Sequence, residues 1–148
     1  RGMWMYHTLA AVVREGTRFA AVHGNNCNLT PSNCATRVRD VARRIQQFSV
    51  GMPATDITNV RFATSTRAVT CPTLASCLSA GALGDTYWPA APPGAASDPG
   101  GEALWSWVEV SAQYTFRSAI AMFWPGAGRS QGFGTFVFPA SSREMIQY

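Results

Sequence analysis

The chain has 148 residues, of which 47% are hydrophobic, including 8 Phe, 5 Trp and 4 Tyr. That composition excludes a disordered polymer and is enough for one buried core, so a single domain over residues 1–148 is expected. The 12 basic residues are all Arg, and the net charge of +4 is spread along the chain. A nucleic-acid footprint would be clustered, so no nucleic-acid partner is expected.

Residues 3–23 have a helical period, with Met5, Leu9, Val12, Gly16, Phe19 and His23 stepping by three or four along one stripe. Glu15 and Arg18 fall on the outer side, and Gly24, Asn25 and Asn26 supply a C-terminal stop. The start carries no capping residue. Trp4 and Tyr6 sit near it, a placement common where a helix leaves a membrane, although core packing accounts for them equally well. His23 is placed to complement the C-terminal end of the helix dipole. No run approaches the ~20 apolar residues that span a bilayer, and no signal peptide is visible.

Four cysteines form two close pairs, Cys27 with Cys34 and Cys71 with Cys77, in Asn-, Pro- and Thr-rich surroundings. This pattern favours two local disulfides in an oxidising compartment, although four cysteines allow three pairings. A four-cysteine zinc site is the competitor. Structural zinc prefers tighter knuckles, so no metal and no cofactor is expected.

A second helix is expected from about Asn33 to Phe48, with Val38, Val41, Ala42, Ile45 and Phe48 opposite Arg37, Arg39, Arg43 and Arg44. The arginines read as a solvated face. The period then changes to two. Residues 59–69 read as one strand, with Val60, Phe62, Thr64 and Thr66 on one side. The Pro/Gly/Ala-rich segment 87–103 reads as a surface loop. Residues 104–117 give the clearest strand, with Val108, Val110, Ala112, Tyr114 and Phe116 facing a core and Glu109, Ser111, Gln113, Thr115 and Arg117 facing water. A last strand spans about Thr135 to Ile146, and Pro139 assigns it to an edge or a bulge. The order helix, helix, strand, strand, strand predicts α+β: helices on an antiparallel sheet of about three to four strands.

Residues 128–138 resemble an RNA-recognition strand. Thr135 stands where a second stacking aromatic would share a face with Phe133, and Gln131 replaces the expected basic residue. The two histidines, His7 and His23, have no orienting acid and nucleophile beside them, and the carboxylates are scattered, so no enzyme is expected. Trp88, Trp105, Trp107 and Trp124 could form a sugar-stacking platform, and packing under loops is the alternative. Ile120, Met122, Phe123 and Trp124 gather apolar area beside a Pro-Gly turn, a partner site if exposed and core if buried.

The stretch from Val12 to Gly24, with Arg14, Glu15, Gly16, Arg18, Ala20, Ala21 and Val22 in order, resembles the segment after the membrane helix of TadE-like pseudopilins. Thr17 and Phe19 depart mildly from that pattern. Residues 107–117 are similar to the same family's strand, and residues 141–147 more weakly to its charged tail. The resemblance implies a pilin-like fold with a long N-terminal helix, and a non-enzymatic minor pilin or pseudopilin of a tight-adherence pilus and secretion system. Such a subunit would help initiate, cap or anchor the fibre. Its partners would be other pilin subunits and pilus assembly proteins, and the inner membrane of a bacterial envelope, reached through an apolar helix preceding residue 1. Arg14, Glu15 and Arg18 become candidates for ion pairs between subunits, and Trp4 and Met5 for exposed contacts at the helix start. The alternative is an extracellular glycan- or surface-binding module using the tryptophans.

Overall fold

In a computed structural model the described residues are 2–23, 36–89, 106–117 and 135–146. The fold is α+β: helices lie on a four-stranded antiparallel sheet of order β2-β1-β3-β4. The elements in chain order are α1 (Gly2–Val22), α2 (Val38–Phe48), β1 (Ile57–Thr64), β2 (Ala68–Thr73), α3 (Leu74–Leu78), β3 (Trp107–Arg117) and β4 (Thr135–Met145).

α1 buries Leu9, Val12, Val13, Gly16, Thr17, Ala20 and Ala21, a stripe that divides between two neighbours. Its Thr17 side faces the sheet, where the hydroxyl donates to the Val13 carbonyl at 2.8 Å and lies 3.3 Å from the Ser142 carbonyl. A buried hydroxyl is costly unless bonded, and here it is satisfied. Its Gly16 side faces α2. A Cβ at Gly16 would stand 2.7 Å from Cγ1 of Ile45, so the two helices approach more closely there than any larger residue permits. Phe19, on the predicted stripe, flanks the core instead of filling it, half-buried with its ring centroid 4.2 Å from that of His23. His23 Nδ1 is 2.6 Å from the Phe19 carbonyl, so the ring serves the end of the helix as expected.

α2 begins at Val38, later than the sequence suggests. Arg37 is extended, and its N–H donates to the Asp40 carboxylate at 3.0 Å, which fixes the boundary from inside the first turn. Thr36 also lies outside the helix, and residues 33–35 are outside the described set.

The strand read across residues 59–69 is a hairpin. Thr64 supplies the turn: its N–H donates to the Arg67 carbonyl at 2.8 Å, and its hydroxyl accepts from the Arg67 N–H at 3.2 Å. Side-chain-to-backbone bonds of this kind reverse a chain without Gly, Pro or Asn, the residues that usually mark a turn. α3 was not legible either. Thr73 caps it, accepting from the Ser76 N–H at 3.2 Å, while the Ser76 hydroxyl accepts from the Thr73 N–H at 3.2 Å. The Cys71–Cys77 disulfide then closes β2 onto α3, with both cysteines fully buried. Cys27 and Cys34 lie outside the described residues.

β3 alternates as predicted, with Val108, Val110, Ala112 and Tyr114 buried. β4 pairs with it from Arg117↔Thr135 to Trp107↔Met145 and lies at the end of the sheet, so Pro139 sits on an edge strand. Residues 87–89 are not surface loop: Tyr87 bridges Arg37, and Trp88 is the largest fully buried side chain among the described residues, its ring set edgewise to Phe62.

Leu9 and the disulfide carry distinct shares of this fold. Leu9→Ala should cost ~2 to 5 kcal/mol in chemical denaturation. The disulfide closes only a short loop, so the paired substitution Cys71→Ser with Cys77→Ser should cost roughly 2 kcal/mol.

Candidate assembly surface

The two helices meet antiparallel, and the motif Arg14-Glu15-Gly16-Thr17-Arg18 lies along their contact. Glu15 is turned toward α2, where Arg44 Nη2 reaches its carboxylate at 3.1 Å. Gly16 receives Ile45, and Thr17 turns to the sheet. Glu15 is therefore engaged within the domain, and of the expected intersubunit ion-pair set Arg14 and Arg18 stay exposed on α1. Arg44 also stacks over the Phe48 ring at 4.8 Å, which fixes the last turn of α2 beside α1. The Glu15–Arg44 pair is partly exposed and contributes orientation more than stability.

The start of α1 exposes several large apolar side chains, as does β4 at Phe136, Val137 and Met145. Met3 is 78% exposed, Trp4 54% and Tyr6 42%, although all three are in regular helix. Met5 is partly buried against the core. Trp4 leans toward the end of α2: a Cβ at Gly51, which follows the exposed Phe48 and Val50, would stand 3.9 Å from its ring. Gly51 has φ of 77°, a left-handed turn that a side chain would strain. Tyr6 leans the other way, edge-on to Phe138 of β4 at 6.1 Å between centroids. One end of the molecule thus offers Met3, Trp4, Phe48 and Val50 to its surroundings. Ile120, Met122, Phe123 and Trp124, the other predicted contact, lie outside the described residues.

The arginine face of α2 is more structured than a solvated stripe. Arg37 and Arg39 both reach Asp85 Oδ1, at 3.1 and 2.8 Å, and the Gly81 N–H donates to Asp85 Oδ2 at 3.0 Å. The N–H groups of Val38 and Arg39, in the first turn of α2, donate to the Thr86 and Gly84 carbonyls. The segment 81–88 therefore straps the N-terminus of α2. Gly84 allows it, because a Cβ there would fall 2.3 Å from the Ser79 carbonyl oxygen and 2.6 Å from that of Cys77. Asp85 is 48 residues from Arg37, and no local spacing could have paired them.

The tryptophan platform is not assembled by the described residues. Trp88 is buried, and the Trp107 ring is covered by the Arg143 guanidinium at 4.1 Å, itself held by Glu109 at 2.6 Å. Trp105 and Trp124 are outside the described set. Among the described residues no group of three or more His, Cys, Asp or Glu could hold a metal ion, and no helix is long and apolar enough to cross a membrane. No protein-family model, no curated protein and no solved structure matches the chain.

The strap has a pH signature. The Asp85 carboxyl is held below its ordinary value of 3.8, first by the Gly81 N–H and further by Arg39 and Arg37, against an opposing effect of burial. A lowered folded-state pKa means stability that is complete above the unfolded value and lost as pH falls through the folded one. Thermal melts from pH 7 to pH 2 should therefore show Asp85→Asn less stable than the parent at neutral pH. The difference should shrink below about pH 4.

Proposed function

We propose that the chain is the envelope-exposed domain of a pilin-like subunit, resembling TadE-like pseudopilins, that works by assembly and not by catalysis. The observation that carries this reading is the split character of α1. From Leu9 onward its stripe is buried in the domain, whereas one to two turns earlier Met3 and Trp4 project as exposed apolar side chains. A helix that serves only its own domain gains nothing from that exposure, and apolar area gathered at one end marks a surface meant to be covered. The long N-terminal helix laid on an antiparallel sheet supports the same reading, as does the motif on residues 14–18, whose glutamate and glycine seat the second helix against the first.

On this reading α1 would extend N-terminally into the inner membrane, with Trp4 and Tyr6 at its boundary. The helices would pack toward the fibre axis, and the outer sheet face would look away from it. Arg14 and Arg18 would be the charges left for neighbouring subunits. The partners would be other pilin subunits and pilus assembly proteins, at the periplasmic or extracellular face of a bacterial envelope.

Trp4→Ala separates assembly from folding. Its melting temperature should stay within about 2 °C of the parent, as for a surface substitution. In sedimentation velocity the concentration-dependent association of the parent should weaken, and in cells the variant should assemble poorly. Loss of the fold, or an unchanged self-association and intact pili, would contradict the proposal. The coding sequence upstream of Arg1 should encode ~15 to 25 mostly apolar residues.

A further inference from the structure

We infer that the outer face of the sheet carries a binding groove for a single neutral sugar ring, built by the irregularity in β1. β1 and β3 pair as Ile57↔Tyr114 and Thr58↔Gln113, then resume at Arg61↔Ser111. Asn59 and Val60 thus stand opposite the single residue Ala112. Asn59 takes up the extra length with φ of 50°, left-handed backbone that Asn tolerates better than most residues. Irregularities of this kind re-aim side chains and recur beside binding sites. Here the result is a groove of about 250 Å³ whose lining combines Asn59, Ser111, Gln113 and Ser141 with the apolar Ala112, Pro139 and Ala140.

The chemistry of the lining selects the ligand. One hydrogen bond crosses the groove, from Asn59 Nδ2 to Gln113 Oε1 at 2.8 Å. The bond leaves Asn59 Oδ1, the Gln113 amide N–H groups and the hydroxyls of Ser111 and Ser141 without a partner among the described residues. These groups combine donors and acceptors and carry no charge. Recognition of phosphate or carboxylate draws on cationic donors, which the lining lacks. Arg61 is the register partner of Ser111 but does not line the groove, and two residues along β3 the Glu109–Arg143 pair neutralises itself. An apolar ligand would leave every one of these groups unpaired. A pyranose meets them all: each hydroxyl donates and accepts, and its C–H face fits the Pro139 ring. The volume falls under the ~300 to 1,000 Å³ of drug-sized pockets and matches the contact of one ring, as at the end or branch of a glycan. This site is independent of the α1 surface and of the tryptophans.

The test is a ¹⁵N NMR titration of the whole chain with the methyl glycosides of glucose, galactose, mannose and N-acetylglucosamine, each to ~100 mM, well above a millimolar Kd. At least one should give saturable shifts centred on the amides of Asn59, Ser111, Gln113 and Ser141. Gln113→Ala and Ser141→Ala, on the outer face, should each weaken that binding about fivefold while the melting temperature holds. Absence of saturation with all four sugars, saturable shifts centred elsewhere, or affinity unchanged in both variants would overturn the inference.

Discussion

The architecture depends on one close approach, that of Ile45 to the backbone of α1 at Gly16. Helices packed through ordinary side chains sit ~8 to 10 Å apart, and a glycine at the crossing allows the nearer end of that range. Two further contacts rely on this spacing. The guanidinium of Arg44, one residue before Ile45, reaches Glu15, one residue before Gly16. Gly51, just past the end of α2, has the Trp4 ring beside it. The mutual seating of the helices also lets the same stretch of α1 bury Val13, Thr17 and Ala20 toward the sheet. A larger residue at position 16 would have to push Ile45 away, and α2 is strapped at its other end by Asp85 and has little freedom to yield.

This gives residues 14–18 a physical task inside the domain. Glu15 and Gly16 face inward and position α2, while Arg14 and Arg18 face outward. A motif on one helix can thus combine intrachain docking with an exposed charged edge, because successive residues are turned by about 100°. The exposed Met3 and Trp4 belong to the same helix but to a different environment, since each keeps more than half of its surface exposed. The assembly proposal rests on that contrast within one continuous element.

What the sequence disclosed follows from periodicity, and what it hid follows from long-range or side-chain-driven structure. The alternation of Val108 to Tyr114 against Glu109 to Gln113 is strict because one face of β3 is core, and Pro139 could be assigned to an edge because it has no N–H to offer a second neighbour. The α1 stripe was legible, but the half-buried place of Phe19 was not, since period alone cannot say where a core ends. The reversal at Thr64 and the short α3 are made by Thr and Ser hydroxyls, residues equally at home in strands and loops. The Asp85 strap and the Asn59 groove unite residues 26 to 82 positions apart, for which spacing carries no signal.

The glycine contact can be measured through its sign. In an ordinary helix interior Gly→Ala stabilises by roughly 1 kcal/mol. At a position where the added Cβ meets Ile45 it should instead destabilise the parent, and in an Ile45→Ala background, with the obstruction gone, the same substitution should stabilise. A double-mutant cycle of Gly16→Ala and Ile45→Ala, read by urea denaturation, therefore predicts a change of sign between backgrounds. Stabilisation of the parent by Gly16→Ala, equal to that in the Ile45→Ala background, would show that the helices do not meet at this residue and would contradict the account.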